Sequence, residues 1–585
     1  MGNARLSEIE ELLLRDVSES NLMEFTEKVA CEVRLSGTPE EYRSFQYVRD
    51  TLASFGLSTQ LLECDAYISL PGSASLQVND KEYKCITHSM AQSTGEDGLR
   101  SELIYVGKGL PQDYKQIDAS GKVVLLDGLA IPAAVKTAQE NGAVGVLFIS
   151  ATYTHEMIVS PVWGSPTPET AALLPKIPVV SVNYADGELI KSGYKAAEKA
   201  SVYMKTEVDT GWRKIPTLIA EIKGTEEPEK FVMFSGHIDS WHYGVMDNGT
   251  ANAAMIEVAR ILAKHRDKLH RTLRLAFWSG HSHGRYAGST WYCDSNFEDI
   301  YENCVLHINI DSLGGKGANI LTEANSMAET KDLAVGPIAA IANQDFIGAR
   351  FGRAGDQSFL GTGTPSLFMG LSEQEPSTEP SAQAFATLFG GGRAGGFGWW
   401  WHTTEDTIDK IDPANLVRDC KIYVATVYQA CANKLLPINQ IAAIEEIKGH
   451  LISYQEKAGE RLDLSKSLER IADLESQVKE VALSIQNKAL GEDQIALINE
   501  GIMDLSRQLV PLNYIRGNIY EHDLALKQSP IPALAEVDRL ADSAVGSESY
   551  HELRTLLVRR VNRINHTLLQ ANRVAAKLLQ NLANA

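Results

Sequence analysis

Alternation between short apolar runs and an amphipathic segment is the feature that most constrains the fold of this chain. From about residue 214, the runs FVMFSG, LRLAFW, VLHINI and SLFMG are typical of buried strands. The segment TANAAMIEVARILAKH carries Met255, Val258, Ala259 and Leu262 at helical spacing, which predicts a covering helix. This alternation predicts an α/β sheet with covering helices. Such sheets bind ligands beyond the carboxyl ends of their strands.

The remaining sequence has two other textures, and 585 residues are too many for one core. Residues 63–208 alternate apolar runs with Gly, Asp and Pro turns, which predicts an inserted β-rich domain. We expect this insert to be a separate lid beside the site, outside the catalytic sheet. Residues 440–585 are helical in pattern and predict a bundle. The catalytic domain would then comprise residues 1–62, as its N-terminal part, and residues 209–439.

The composition argues against some classes of binding partner and indicates the cellular compartment. The 75 acidic residues outnumber the 55 basic residues, which argues against a nucleic-acid or anionic-membrane surface. We expect no membrane span, because no stretch has about 18 uninterrupted apolar residues, and the start MGNARLSEIEELLLRD lacks the apolar core of a signal peptide. The seven cysteines are scattered and fit reduced thiols. We therefore expect a cytoplasmic protein.

Three short segments carry residues that suit chemistry. In SGHIDSWHYGVMDNGTA, His237 and Asp239 follow a strand and Asp247 precedes a helix. Asp311 ends the strand VLHINI, and His402 follows three tryptophans in GFGWWWHTTED. Imidazole and carboxylate groups suit a zinc-type ion, and a nearby carboxylate can orient a ligating imidazole. Each segment alone also has a structural explanation, because Asp caps turns and a histidine after aromatic residues is commonly packed.

Taken together, the segments resemble the zinc aminopeptidase and glutamate carboxypeptidase family of metallopeptidases. The resemblance rests on HxDSW, a D-N-G before a helix, an Asp after a strand, and an aromatic-His-T-x-x-D-T segment. The insert, with GKVVLLDG, a helix and GAVGVLFIS, resembles that family's protease-associated domain. The helical end resembles its dimerisation domain, which the transferrin receptor shares. The resemblance implies a zinc-exopeptidase-like mixed sheet and a homodimer, which apolar stripes on the last helices also favour.

The resemblance also implies roles for individual residues. The family holds two metal ions with five side chains. His237, Asp247, Asp311 and His402 match four of these ligands, with Asp247 at the bridging position and Asp239 beside the ligands. The fifth ligand and the general base are an adjacent Glu-Glu pair in the family. This chain has SGHSHGRYAGS there, without Glu or Asp.

Two alignments of this stretch remain open. Aligned from the strand, His281 takes the base position and Ser282 the ligand position; aligned backward from Gly288-Ser289, Ser282 takes the base position and His283 the ligand position. The preceding FWSG matches the strand-side register and slightly favours His281, which is a candidate metal ligand as well as a candidate catalytic residue. We expect one histidine to bind metal and the other to act as base or to contact substrate. Since imidazole is neutral where the family has a carboxylate, we expect one tightly held zinc ion and a second held weakly or not at all.

The residues around this stretch complete the prediction. Arg285 and Tyr286 are candidate anion or oxyanion contacts. GRAGDQSFLGTGTPS resembles the family's substrate loop, so Arg353 and Asp356 are expected to touch substrate. We predict a metal-dependent hydrolase that cleaves a peptide-like or other amide bond in a small molecule or short peptide. Two alternatives stay open: a mono-metal lyase or transferase on a small metabolite, as among the related glutaminyl cyclases, and a catalytically inactive binding protein.

Overall fold

The computed structural model of this chain describes residues 6–196, 200–388, 395–487 and 490–584. It confirms the predicted fold class, a mixed sheet covered by helices with an inserted β-rich part and a helical C-terminal part. The strands are β1 (Ser58–Val78), β2 (Lys81–Tyr83), β3 (Ile86–Thr87), β4 (Leu99–Gly107), β5 (Val123–Asp127), β6 (Gly145–Ile149), β7 (Val179–Val182), β8 (Ala200–Ile222), β9 (Glu227–His237), β10 (Arg271–Trp278), β11 (Cys304–Asn309), β12 (Ala318–Ile320), β13 (Ser366–Leu367) and β14 (Glu373–Gln374). The α-helices are α1 (Glu8–Arg15), α2 (Glu19–Val29), α3 (Pro39–Ser54), α4 (Pro132–Glu140), α5 (Tyr184–Ala196), α6 (Ala251–Lys264), α7 (Ala287–Ser295), α8 (Phe297–Asn303), α9 (Asp332–Ala342), α10 (Pro380–Leu388), α11 (Pro413–Ala432), α12 (Gln440–Ala458), α13 (Ser465–Asn487), α14 (Glu492–Tyr514), α15 (Val537–Asp542) and α16 (Glu548–Asn584).

Four parallel strands form the part of the sheet that positions the site. β9 pairs in parallel with β10 on one side and with β11 on the other, and β11 pairs in parallel with β13. β11 is buried along its whole length, as expected for a parallel strand that is covered on both faces. Because the carboxyl ends of parallel strands meet at one edge, the residues that follow β9, β10 and β11 come together there. This edge carries His237, the segment SGHSHGRY and Asp311.

Helix α6 covers the sheet beside this edge. Met255, Val258, Ala259 and Leu262 are fully buried, as their helical spacing predicts. Helices α2 and α11 pack against α6 on its other sides. The chain enters α6 through a kinked helical turn, Val245–Thr250, which presents Asp247 at the sheet edge.

The inserted part is not a separate sheet, so the prediction of an independent lid is wrong. Strand β8 pairs with β10 through residues 218–222 and with β4 through residues 200–204, which joins the insert to the catalytic sheet in one hydrogen-bonded network. β1 and β8 form a long antiparallel ribbon that crosses both expected boundaries. The ribbon was not predicted because Pro71 and Gly72 are typical of a turn. In the structure, the pairing of β1 with β8 continues beyond them with a shift of register.

The last five helices pack around an apolar core of their own, as the helical pattern predicted. Ile447, Leu451, Leu509, Leu557 and Leu568 are buried in this core. Among the helices that the structure describes, none combines the length and the apolar character that a membrane crossing requires.

Candidate metal centre

Three side chains converge at the sheet edge: His237 at the end of β9, Asp247 in the turn before α6, and Asp311 just after β11. His237 closes β9, and its Nδ1 donates to the carbonyl oxygen of Asp239 at 2.8 Å. This bond leaves Nε2 as the nitrogen that faces the acidic residues. Nε2 lies 3.2 Å from Oδ1 of Asp247 and 3.6 Å from Oδ2 of Asp311. The three ligand-type residues of the sequence prediction are therefore in contact.

Asp247 contacts a second histidine with its other oxygen. Its Oδ2 lies 2.9 Å from Nε2 of His402, whose Nδ1 donates to the carbonyl oxygen of Glu156 at 2.7 Å. Asp247 thus lies between His237 and His402, as the bridging role implied by the family resemblance would require. The backbone of the inserted part, through Glu156, fixes the orientation of His402.

Asp406 binds the backbone of the segment that carries Asp247. Its carboxylate accepts the backbone N–H groups of Met246 at 2.9 Å and of Asp247 at 3.0 Å. Burial raises the pKa of Asp406 to about 7, against the lowering effect of these two hydrogen bonds. Asp406 is the acidic residue of the T-x-x-D motif, so the signal was present in the sequence although no role was assigned to it.

The converging atoms fit a cation. Nε2 of His237 and Oδ1 of Asp247 are both buried, and neither has a hydrogen-bond partner. Burial disfavours a charged His237, but the surrounding Asp239, Asp247 and Asp311 outweigh it and raise its pKa well above the usual value. One imidazole and two carboxylates are a donor set that suits a divalent ion such as zinc. His237, Asp247 and Asp311 would hold it.

The segment SGHSHGRY places His281 and Ser282 beside this centre. The ring of His281 stacks on the ring of His237, with centroids 3.7 Å apart and planes 11° from parallel. Nδ1 of His281 lies 2.8 Å from Oδ2 of Asp356. The backbone N–H groups of His281 and Ser282 donate to the two oxygens of Asp239 at 3.3 Å and 2.9 Å. Asp239 therefore supports both His237 and the loop after β10.

His283 lies behind the centre. It is fully buried, its Nδ1 lies 2.9 Å from the hydroxyl of Ser36, and its ring packs at 4.4 Å against Trp241. Burial lowers its pKa to about 4. The Ser36 hydroxyl donates to Asp239 at 2.7 Å. His283 is not among the side chains that line the pocket over the centre, and it supports Asp239 through Ser36.

The pocket over the centre has a polar floor and mainly apolar walls. The floor consists of Asp247, His281, Ser282, Asp311 and His402. The walls carry Met157, Ile158, Trp241, Arg285, Tyr286, Ala354, Gly355, Met369, Leu388, Phe397 and Trp401. Because Met157 and Ile158 come from the inserted part, that part contributes to the pocket directly.

Of the two arginines predicted to contact anion or substrate, Arg285 reaches the pocket wall and Arg353 lies outside it. Arg285 donates through Nε to the carbonyl oxygen of Ser160 at 3.1 Å and through Nη2 to that of Ile158. Arg353 donates to the carbonyl oxygen of Asp523 at 2.6 Å, and burial lowers its pKa to about 10. Both guanidinium groups therefore hold backbone segments together.

Tyr286 lines the pocket, whereas Asp356 does not. The hydroxyl of Tyr286 accepts the backbone N–H of Gly355 at 3.0 Å. Asp356 is buried and accepts the hydroxyl of Ser289 at 2.8 Å in addition to its contact with His281. The structure thus places Asp356 where it can orient His281.

Comparison with known proteins agrees with this architecture. Residues 217–427 match the model of peptidase family M28, and residues 86–190 match the model of the PA domain. The first match supports the M28 peptidase family for residues 217–427, which make up about a third of the chain. The first match covers the strands and loops that bring His237, Asp247, Asp311 and His402 together, and the second covers the insert.

Individual M28 relatives are distant. The chain is similar to a probable lipoprotein aminopeptidase, LpqL, of Mycobacterium tuberculosis (strain ATCC 25618 / H37Rv), with 28% identity over 65% of this chain and 77% of that protein. It is 23% identical to the probable glutamate carboxypeptidase VP8 of Zea mays over 47% of this chain and 48% of that protein. This chain thus spans about half the length of the glutamate carboxypeptidase it matches.

A solved structure shares the fold. The peptidase M28 precursor of Shewanella amazonensis SB2B superposes with a TM-score of 0.57 at 18% identity, covering 73% of this chain and 97% of that one. At this identity the likeness concerns the fold, including the mixed sheet on which the M28 centre is built.

Proposed function

We propose that this chain is a metal-dependent hydrolase that cleaves an amide bond in a small, peptide-like substrate, with His281 in place of the family's carboxylate base. The observation that carries the proposal is the 2.8 Å contact between Nδ1 of His281 and Oδ2 of Asp356. A carboxylate accepts the Nδ1 proton, so Nε2 keeps its lone pair and is free to act at the pocket.

The stacking of His281 on His237 favours a base over a ligand. A metal ion lies about 2.0–2.1 Å from a ligating imidazole nitrogen, along the nitrogen lone pair and hence in the plane of the ring. Ligand atoms of His237, His281 and Asp311 lie within 4.8 Å of one another, but the two rings are nearly parallel with centroids 3.7 Å apart, so one ion bound to both would lie out of the plane of at least one ring. His237 has the two carboxylates in contact with its Nε2, so we assign the ion to His237 and the proton transfer to His281.

Different residues of the pocket then have different roles in the hydrolysis of the amide bond. A bound zinc ion would polarise the substrate carbonyl and favour ionisation of water. Nε2 of His281 accepts a proton from the water whose oxygen bonds to the carbonyl carbon. The same nitrogen returns the proton to the amide nitrogen as the carbon–nitrogen bond breaks, which yields a carboxylic acid and an amine. Asp356 keeps the imidazole in the required tautomer and orientation and does not itself take the proton.

We further propose that one ion is held tightly. His237, Asp247 and Asp311 supply one imidazole and two carboxylates to the first position. At the second position Ser282 offers a neutral hydroxyl beside Asp247 and His402, so only the shared carboxylate opposes the charge of a second ion.

The pocket walls favour a substrate with apolar groups around the scissile bond. Trp241, Phe397, Trp401 and Met369 line the pocket. Among the wall residues that the structure describes, Arg285 carries the basic side chain, and two of its donors already bind backbone carbonyls. We therefore expect uncharged peptides or amides to be better substrates than acidic dipeptides.

We retain three further predictions about the protein as a whole. Apolar side chains on the C-terminal helices, such as Ile452 and Leu483, are exposed at 42% and 58% and suit a homodimer contact. All seven cysteines are unpaired, which favours a reducing, cytoplasmic setting. We also keep the division into residues 1–62, 63–208, 209–439 and 440–585 as a prediction about function, although β1 crosses the first boundary and β8 crosses the second.

A hydrolysis assay on zinc-loaded protein tests the proposed function. Dipeptides and amino-acid amides with apolar, aromatic and acidic groups are incubated with the protein, and mass spectrometry detects products that have gained water. We expect hydrolysis of apolar substrates and a loss of about 10²–10⁴-fold in kcat in His281→Asn. His551→Asn serves as a control, because it alters an exposed histidine of α16, and it should retain most of the turnover. Products that have not gained water would favour a lyase or transferase, and bound zinc without any product would favour a binding protein.

A further inference from the structure

We propose that Cys293, Asp294 and His522 form a second zinc site, which ties the catalytic part of the chain to its helical C-terminal part. The sulfur of Cys293, a carboxylate oxygen of Asp294 and a ring nitrogen of His522 all lie within 4.8 Å of one another. None of the three lines the pocket over the first centre. We call these three residues the junction cluster.

The junction cluster joins two separate parts of the chain. Cys293 and Asp294 lie at the end of α7, whereas His522 lies in the long connection between α14 and α15. Nε2 of His522 is already 2.8 Å from Oδ1 of Asp294. An ion at this position would link the helix that follows SGHSHGRY to the C-terminal helices.

The segment that carries His522 is held in place independently of any ion. The backbone N–H groups of Arg516 and Gly517 donate to the carboxylate of Asp523 at 2.6 Å and 3.1 Å. Ala525 donates its N–H to the carbonyl oxygen of Pro161 at 2.8 Å. Since both sides of His522 are fixed, its ring needs little reorganisation to serve as a ligand.

The donor types select for zinc. Thiolate and imidazole ligands favour zinc over magnesium or calcium, which prefer sets composed of oxygen atoms. Cys293 is only 3% exposed, and burial, together with the neighbouring charge of Asp294, raises the pKa of its thiol well above the usual value. A thiol that becomes a zinc ligand loses its proton, so zinc uptake at the cluster should release a proton.

A plain ion pair between His522 and Asp294 is the competing explanation. Their side chains are 17% and 54% exposed, and pairs of this kind contribute little to stability. The sulfur of Cys293, which also packs in a buried apolar cluster, takes no part in the ion pair, whereas coordination uses all three groups. The exposed side of Asp294 leaves a fourth position to water, which completes a tetrahedral site.

Cobalt substitution separates the two explanations, because cobalt bound by thiolate has a charge-transfer absorption band in the near ultraviolet. The pocket has no cysteine among its lining side chains, so cobalt at the first centre does not give this band. The full chain is stripped of metal, titrated with Co²⁺ alone and followed by absorption. We expect the band in the wild type and its loss in Cys293→Ser, with about one metal equivalent fewer after dialysis against Zn²⁺.

Two further variants keep the result interpretable. His522→Gln alters a partly exposed residue that should not affect folding, and it should weaken the band even if Cys293→Ser does not fold. Cys31→Ser removes an exposed thiol elsewhere and should keep the band. Absence of the band in the wild type, or a band that survives in both Cys293→Ser and His522→Gln, would overturn the second site.

The outcome is independent of the proposed hydrolase. Asp247→Asn should remove metal from the first centre and leave the cobalt–thiolate band unchanged. A protein that shows the band but hydrolyses no substrate would support the junction cluster and contradict the proposed function. The reverse result would contradict only the junction cluster.

Discussion

Nδ1 of His281 lies 2.8 Å from Oδ2 of Asp356, a residue 75 positions later in the chain. Asp356 is buried, and its other oxygen accepts the hydroxyl of Ser289 at 2.8 Å. We propose that this pair takes the place of the carboxylate base that is usual in the family this chain resembles. A histidine that is held by a buried carboxylate has one defined tautomer and one free nitrogen, which are the properties that a general base needs.

The first prediction concerns this pair. Asp356→Asn keeps the size of the side chain but can donate to Nδ1 of His281, which stabilises the wrong tautomer. We expect kcat to fall by roughly 10- to 1000-fold with little change in KM, because Asp356 orients the base without lining the pocket. Ser289→Ala removes only the other partner of Asp356 and should have a much smaller effect. Equal losses in the two variants would show that Asp356 has a structural role only.

The second prediction concerns metal content. If His237, Asp247 and Asp311 hold a single ion, His237→Ala should lose nearly all of the zinc at this centre, as measured by elemental analysis. His402→Ala should retain it, since His402 contacts only the second oxygen of Asp247. Ser282→Glu restores a carboxylate at the second position and should bind an additional equivalent. Loss of zinc in His402→Ala with retention in His237→Ala would reverse the assignment.

The meeting of the acidic residues and His237 at one place could be predicted from the positions at which the strands end. His237, Asp247 and Asp311 follow strands or precede a helix at one sheet edge, and topology alone brings such residues together. The division of roles between His281 and His283 could not be predicted, because the contact of His281 with Asp356 depends on how a distant loop packs.

Local backbone geometry was also hidden from the sequence. Arg285 and Tyr286 both have positive φ values, 48° and 69°, which non-glycine residues seldom adopt and which no pattern of residue types announces. These two residues end the segment SGHSHGRY (residues 279–286, here called the site loop) and lead the chain into α7. The side chain of Arg285 consequently points to backbone carbonyls of the insert, whereas the sequence had suggested an anion contact.

The third prediction concerns acid stability. His307 is fully buried between the hydroxyls of Ser235 and Ser366, and burial lowers its pKa from 6.5 to about 3. The unfolded chain therefore binds a proton that the folded chain does not, from about pH 6.5 down to about pH 3. The stability that His307 contributes is complete above pH 6.5 and is lost as the pH falls, by about 1.4 kcal/mol per pH unit.

The measurement is the free energy of unfolding as a function of pH in wild type and in His307→Gln. Between pH 6 and pH 4, the free energy of unfolding of the variant should depend less steeply on pH than that of the wild type. The difference should be about 1.4 kcal/mol per pH unit, which corresponds to one proton. His88→Gln provides an independent comparison in the insert, because burial also lowers the pKa of His88 to about 3. Unchanged slopes in both variants would contradict the predicted proton linkage.

The last prediction concerns Arg285, which joins the site loop to the insert. Arg285→Met removes the donors to the carbonyl oxygens of Ser160 and Ile158, both of which belong to buried residues. Each buried acceptor left without a partner costs about 1–3 kcal/mol, so denaturant unfolding should show a loss of about 2 kcal/mol or more. KM should rise as well, because Ile158 and the site loop line the same pocket. Arg554→Met removes an exposed arginine that donates to the carbonyl oxygen of Arg461, and it should leave both stability and KM nearly unchanged. If Arg285→Met matched Arg554→Met in both measurements, the insert would not depend on Arg285 for its place at the pocket.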